Sequence, residues 1–167
     1  MNRHFLLILI PLLLALVACA DSAAEGPPEI RYGEDLCDDC HMIIDDPRFA
    51  SAYVTEEGEF RLFDDIGDMY RYADRTGDSV RAFWVHDYHS EEWLESDSAT
   101  FVYSPALLTP MGWGLAAFAD RETAAAFQAE EGGDLLTAAE LQQQIAAGHL
   151  SPMDGAHSHA EDVNHDH

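Results

Sequence analysis

The sequence predicts an α+β fold: two tandem ββαβ-type repeats followed by a C-terminal helix. Three observations carry this. Strand-like and helix-like segments recur in the same order in both halves of the chain. Matched residues recur at an offset of 55: Phe63 with Phe118, Asp65 with Asp120, Tyr72 with Phe127, Gly77 with Gly132, Val80 with Leu135. These pairs share physical roles, namely a last strand residue facing the core, a helix N-cap, a helix core position, a C-cap and an apolar re-entry. Finally, Thr137-Ala138-Ala139-Glu140 is a capping box that opens a last helix to about Ala147.

The elements follow in order. Residues 49–54 and 59–63 read as strands joined at Glu57-Gly58. Asp64-Asp65 starts a helix to about Arg75, with Ile66, Met69, Tyr70 and Ala73 at helical spacing, and Gly77 ends it. Residues 80–85 form the third strand. The second half gives strands at 100–103 and 114–118, a helix from Asp120 to about Glu130, and a strand at Leu135-Leu136. The repeats thus span about residues 37–88 and 93–136, within a folded region of 31–150.

The ends are of another character. Arg3 and His4 precede an apolar run from Phe5 to Val17, too short for a permanent membrane span and patterned as a secretory signal over residues 1–18. Leu16-Val17-Ala18-Cys19 resembles the lipobox of bacterial lipoproteins, which implies acylation of Cys19 and anchoring to a lipid bilayer. Ala20 in place of an Asp implies the outer membrane. Residues 19–30, with Gly26-Pro27-Pro28, read as a flexible lipidated tether. Residues 151–167 read as a disordered acidic tail; His157, His159, His165 and His167, with His149 just before it, suit weak metal capture.

Charge narrows the partners. The net charge is -24, with 32 Asp and Glu against 8 basic residues, all arginine. Such a surface repels a phosphate backbone, so no nucleic-acid partner is expected. An acidic, lysine-free surface suits high salt, and a halophilic bacterial source is expected.

The chemistry concentrates in Cys37-Asp38-Asp39-Cys40-His41-Met42. Thiolate and thioether are soft donors that together select Cu(I) over hard cations. On a locally extended chain Cys40 and Met42 point the same way, and Cys37 joins them if the turn curls back. Met111, in the turn-rich loop Thr109-Pro110-Met111-Gly112-Trp113-Gly114, is a further candidate, since such a loop is unsuited to burying a flexible side chain. His41, Met69 and His86 are weaker candidates, Met69 reading more readily as core filler. Other readings of the cysteine pair stay open: a local disulfide, a thiol-disulfide oxidoreductase using Cys37 and Cys40, or a structural zinc site drawing on His86 or His89. Asp38 and Asp39 oppose thiolate formation, which weakens the redox reading.

With these residues in view, the chain resembles the NosL family of nitrous oxide reductase accessory proteins. The resemblance rests on the lipobox, Cys37-x-x-Cys40-x-Met42, Phe63-Asp64-Asp65-Ile66, Asp87-Tyr88 and Pro110-Met111-Gly112 before Phe118, covering about residues 16–136. One position departs from the family pattern: His41 stands where a glycine usually precedes the methionine. The resemblance implies two ββαβ units. It also implies a periplasmic Cu(I) metallochaperone, not an enzyme, that supplies the copper centres of nitrous oxide reductase through an ABC-transporter-associated protein.

Overall fold

The computed structural model describes residues 26–153. Signal segment, Cys19 and the tail histidines from His157 onward lie outside them. The first unit runs β1 (Ser51–Thr55), β2 (Phe60–Phe63), α1 (Ile66–Thr76) and β3 (Val80–His86). A short β4 (Trp93–Glu95) and a 3-10 turn (Ser96–Ser98) follow. The second unit runs β5 (Thr100–Tyr103), β6 (Leu115–Phe118), α2 (Arg121–Glu131) and β7 (Asp134–Thr137), and α3 (Ala138–Ala146) closes the chain.

The two sheets repeat one topology. Their strand orders are β2-β1-β3-β4 and β6-β5-β7, with antiparallel pairing throughout. In each, the first strand of the unit lies between the second and third. The predicted α+β repeat is therefore the observed fold. β4 is the addition the sequence did not announce. Its three residues are too few to show alternation, and it adds to the free edge of β3.

Each helix starts and ends where its sequence dictates. Asp65 accepts from Gly67 N, Asp120 from Thr123 N and Thr137 from Glu140 N, the last as a complete capping box. Gly77 takes a left-handed φ of 71° that ends α1 by returning its N–H to the Ala73 carbonyl. The core pairs repeat as well. Phe63 packs on Tyr72 at 5.4 Å between ring centroids, and Phe118 on Phe127 at 5.1 Å.

Asp87-Tyr88 staples the units together. Asp87 bridges to Ala117 of β6, and Tyr88 N donates to the Ala117 carbonyl at 2.8 Å. The Asp87 carboxylate accepts from Ala119 N (2.8 Å), His89 N (3.1 Å), Ser90 N (2.8 Å) and Ser90 Oγ (3.0 Å). Burial pushes its pKa up, but these hydrogen bonds outweigh it and hold the carboxyl below its ordinary value. Asp87→Ala is expected to cost about 2–4 kcal/mol by orphaning those donors. Because the folded pKa is depressed, this stability is present above the ordinary carboxylate range and lost as pH falls through the folded value. Urea midpoints of wild type and variant should differ at neutral pH and converge in acid. A gap that persists undiminished in acid would refute the charge-dependent role.

The repeat is broken at one place that matters. The offset is 55 between Phe63 and Phe118, but 49 between their strand partners Ser51 and Thr100. Six extra residues therefore lie in the second hairpin, whose loop between Tyr103 and Leu115 reaches back over the start of α1.

Candidate metal centre

The cysteine segment folds into a closed loop. Leu36 bridges Ile43, Cys37 N donates to the Met42 carbonyl (2.9 Å), and His41 N donates to the Cys37 carbonyl (3.0 Å). The turn curls far enough for Cys40 N to donate to Cys37 Sγ at 3.4 Å. His41 lies at φ 62°, a left-handed conformation that costs an L-residue roughly 1 kcal/mol. A glycine there is free of that strain, which is a physical reason for the family pattern. His41 also breaks the extended stretch expected between Cys40 and Met42.

The aspartates between the cysteines fasten this loop to the first unit. Asp38 N donates to the Leu62 carbonyl (2.8 Å), and Asp38 Oδ2 accepts from Leu62 N (2.6 Å). Asp39 is clamped to α1 by Arg71 (2.6 Å) and Arg75 (2.7 Å). Burial raises the Asp39 pKa, but the two guanidiniums more than compensate and hold it below its ordinary value. The charge that opposes the thiolates is Asp64, rather than the Asp38 and Asp39 named from sequence. Burial is the larger cause, and it pushes both the Cys37 and Cys40 thiols up.

Beneath the loop lie two carboxylates that sequence reasoning did not select. Cys40 Sγ stands 3.5 Å from both oxygens of Asp64. One ligand atom each from Cys37, Cys40, Asp64 and Asp68 falls within 4.8 Å of every other. The available signal was a pair of carboxylates around the N-cap Asp65: Asp64 just before the helix and Asp68 in its first turn. Asp68 is fully buried. Its Oδ1 accepts from Trp113 Nε1 and from Arg71, both at 2.8 Å, while Oδ2 has no hydrogen-bond partner. Burial pushes Asp68 up to about 6 and Asp65 up to about 7.

The second unit's long loop roofs this corner. Asp65 Oδ2 accepts from Thr109 Oγ1 (2.6 Å) and Met111 N (3.0 Å). The Trp113 ring lies against Gly67, so close that a Cβ there would stand 2.0 Å from it. Arg71 caps the same indole at 5.4 Å from its centroid.

The predicted site residues divide accordingly. Cys37 is buried, Cys40 half-buried, and neither is in a disulfide. Met42 is 46% exposed, and His41 before it is exposed as well. Met111 is buried, contrary to the expectation from its turn-rich loop, because the hydrogen bonds to Asp65 seat that loop against the protein. Its backbone is thus fixed to the N-cap residue next to Asp64. Met69 is core, with no exposed surface. His86 is engaged at both ring nitrogens, Nδ1 with the Ala50 carbonyl (3.0 Å) and Nε2 with Tyr32 Oη (3.1 Å), and its ring lies 3.7 Å from Trp93. Burial lowers its pKa, so it sits as a neutral structural imidazole.

Thiols and carboxylates gathered under a loop, at the seam of a duplicated ββαβ scaffold, define a protein with a candidate metal centre. The NosL family model matches residues 30–146, and the chain belongs to that family. Its fold is similar to the crystal structure of the copper chaperone NosL from Shewanella denitrificans. That likeness has a TM-score of 0.62 at 20% identity and covers 69% of this chain and 94% of that one. Among curated proteins no sequence matches.

Proposed function

We propose that this protein is a Cu(I) chaperone that carries the ion on Cys37 and Cys40, with exposed Met42 as a third soft donor and Met111, in the loop held by Asp65, as a fourth. The observation that carries the reading is the loop itself. It brings two unoxidised thiols together, one buried and one half-buried, with the exposed thioether of Met42 two residues further on. Family membership and the copper chaperone of similar fold support the same cargo. Two raised thiols are poor nucleophiles near neutrality, which disfavours disulfide exchange as the activity.

Delivery is ligand exchange. A two- or three-coordinate Cu(I) leaves an open side that an acceptor's sulfur or nitrogen attacks, so the ion passes without being released to water. Exposed Met42 is the donor placed to give way first. The proposed setting is the periplasm, with the protein lipid-anchored through Cys19. The proposed acceptor is a periplasmic protein of the nitrous oxide reductase assembly machinery.

The test is a titration of the reduced protein against a Cu(I)-specific competitor. Wild type should bind one Cu(I). Cys40→Ser should lose most of that affinity, and Met42→Leu should weaken it at least ~10-fold, as expected from losing one soft ligand. Wild-type affinity in both variants would overturn this site. Turnover of a disulfide substrate, unaffected by Met42→Leu, would instead establish a thiol oxidoreductase.

A further inference from the structure

We infer that a groove toward the C-terminal end of α1 docks a partner protein through an arginine-bearing amphipathic segment, on a surface separate from the cysteine loop. The inference rests on the chaperone reading for its purpose and on the groove alone for its geometry.

The groove offers about 530 Å³ between α1, α3 and β3, within the ~300–1,000 Å³ usual for recognition clefts. Small side chains create it. Ala73 of α1 stands opposite α3 with its Ala139 and Ala146, where longer side chains would fill the space between the helices. Half-buried Phe83 of β3 lines it, with the Tyr70 ring packed on it at 4.9 Å between centroids. Asp74, Ala139 and Ala146 are exposed, so the groove is a trough open to solvent and not an enclosed cavity. Such a shape suits side chains presented by another polypeptide.

Its charge is of one sign. Asp74 on α1 and Asp78 just after it both line the groove, and among the described residues no basic side chain does. Asp74 has no hydrogen bond or ion pair within the described structure. Asp78 is held in place by the Tyr53 hydroxyl, which donates to its Oδ2. The cations of α1 itself are committed elsewhere, since Arg71 and Arg75 both clamp Asp39. Two carboxylates on an apolar trough focus a negative field into it.

These features select the occupant. A net charge of -24 repels a second copy of this chain, an anionic lipid surface and nucleic acid alike. Arginine pairs with carboxylates through several N–H donors, and its planar head stacks on aromatic rings. An apolar neighbour on the same partner segment would cover Phe83 and the alanines. From Asp68, beside the cysteines, to Asp74 is six residues, or about 9 Å along the helix axis. A partner held here leaves the cysteine loop and Met42 open for exchange. A contact of this size belongs to the weak, transient class, as delivery requires.

The test uses the full-length chain and a set of short, fluorescein-labelled helical peptides with leucine and arginine on one face, differing in register. Anisotropy at moderate salt should show saturable one-to-one binding, which the same peptides with glutamate for arginine should lack. Asp74→Asn and the groove-filling Ala139→Trp should each weaken binding at least ~10-fold. Glu122→Gln, the same charge change on α2, should leave it at wild type. Both altered groove positions are exposed, and circular dichroism checks folding; if Ala139→Trp misfolds, Asp74→Asn carries the test. Cu(I) affinity should stay at wild type in both groove variants, and Cu(I) loading should leave peptide affinity unchanged. Failure of every arginine peptide to bind overturns the inference. So does wild-type affinity in the folded groove variants, or an equal loss with Glu122→Gln, either of which means diffuse attraction to an acidic surface. Agmatine binding as tightly as the peptides overturns it as well, by making the groove a small-cation pocket, and displacement of peptide by Cu(I) overturns the separation of the two surfaces. Groove binding in a wild type that binds no Cu(I) supports the dock and removes only the chaperone reading.

Discussion

Gly67→Ala is expected to cost about 3–5 kcal/mol, although alanine is the better helix former in isolation. Gly67 is in the first turn of α1 and fully covered by the Trp113 ring, which a new Cβ would meet at 2.0–2.6 Å. The ring has nowhere to go. It is 2% exposed, hydrogen-bonded to Asp68 and capped by Arg71. Displacing it adds overpacking strain, about 1–3 kcal/mol. The hydrogen bond that Asp68 Oδ1 receives from the indole is lost as well, at about 1–3 kcal/mol for a buried acceptor. Denaturant unfolding measures the sum. A change within about 0.5 kcal/mol of wild type would mean that the loop swings away freely and is no fixed roof.

Asp65→Ala should be comparably severe, at about 3–5 kcal/mol, and its repeat counterpart provides the control. Asp65 caps α1 through Gly67 N and also receives Thr109 Oγ1 and Met111 N from the second unit. Removing it deprives buried donors of their acceptor in a place water does not reach. Asp120 occupies the same position before α2, yet its partners, Thr123 N and Oγ1, are exposed. Asp120→Ala should therefore show a much smaller loss, of the kind usual for a solvated cap. Equal losses in the two variants would mean that Asp65 acts as a cap only. Because the loop brings Met111, the Asp65 variant should also weaken Cu(I) binding if that thioether is a ligand.

This contrast also shows what the sequence could disclose. Asp65 and Asp120 were readable as equivalent N-caps, and Gly77 and Gly132 as helix ends, because capping depends on a few neighbouring residues. The same locality made the strand-strand-helix-strand order legible twice. The cysteine loop was legible too, through the softness of its donors. Asp64 and Asp68 were not, since their partnership with the thiols depends on where α1 lands beneath a loop 24 or more residues earlier in the chain. Met111 was misjudged for a related reason. Gly and Pro around it describe a turn, but burial was decided by Asp65, 46 residues away. His86 looked like a possible ligand until the Ala50 carbonyl and Tyr32 hydroxyl were seen to occupy it.

The six residues by which the second hairpin outgrows the first have an evolutionary reading. If one ancestral unit was duplicated, the two copies were at first interchangeable, and nothing distinguished one helix start from the other. Lengthening a surface hairpin costs little, since loop-closure entropy grows only with the logarithm of length. It leaves both sheets in register. Divergence could therefore be confined to a single tip, with the first copy keeping the cysteines against its helix and the second supplying cover. A functional asymmetry of this kind is open to a duplicated fold at almost no expense to its architecture, and it predicts that the shorter hairpin, Glu56 to Glu59, is the closer record of the ancestor.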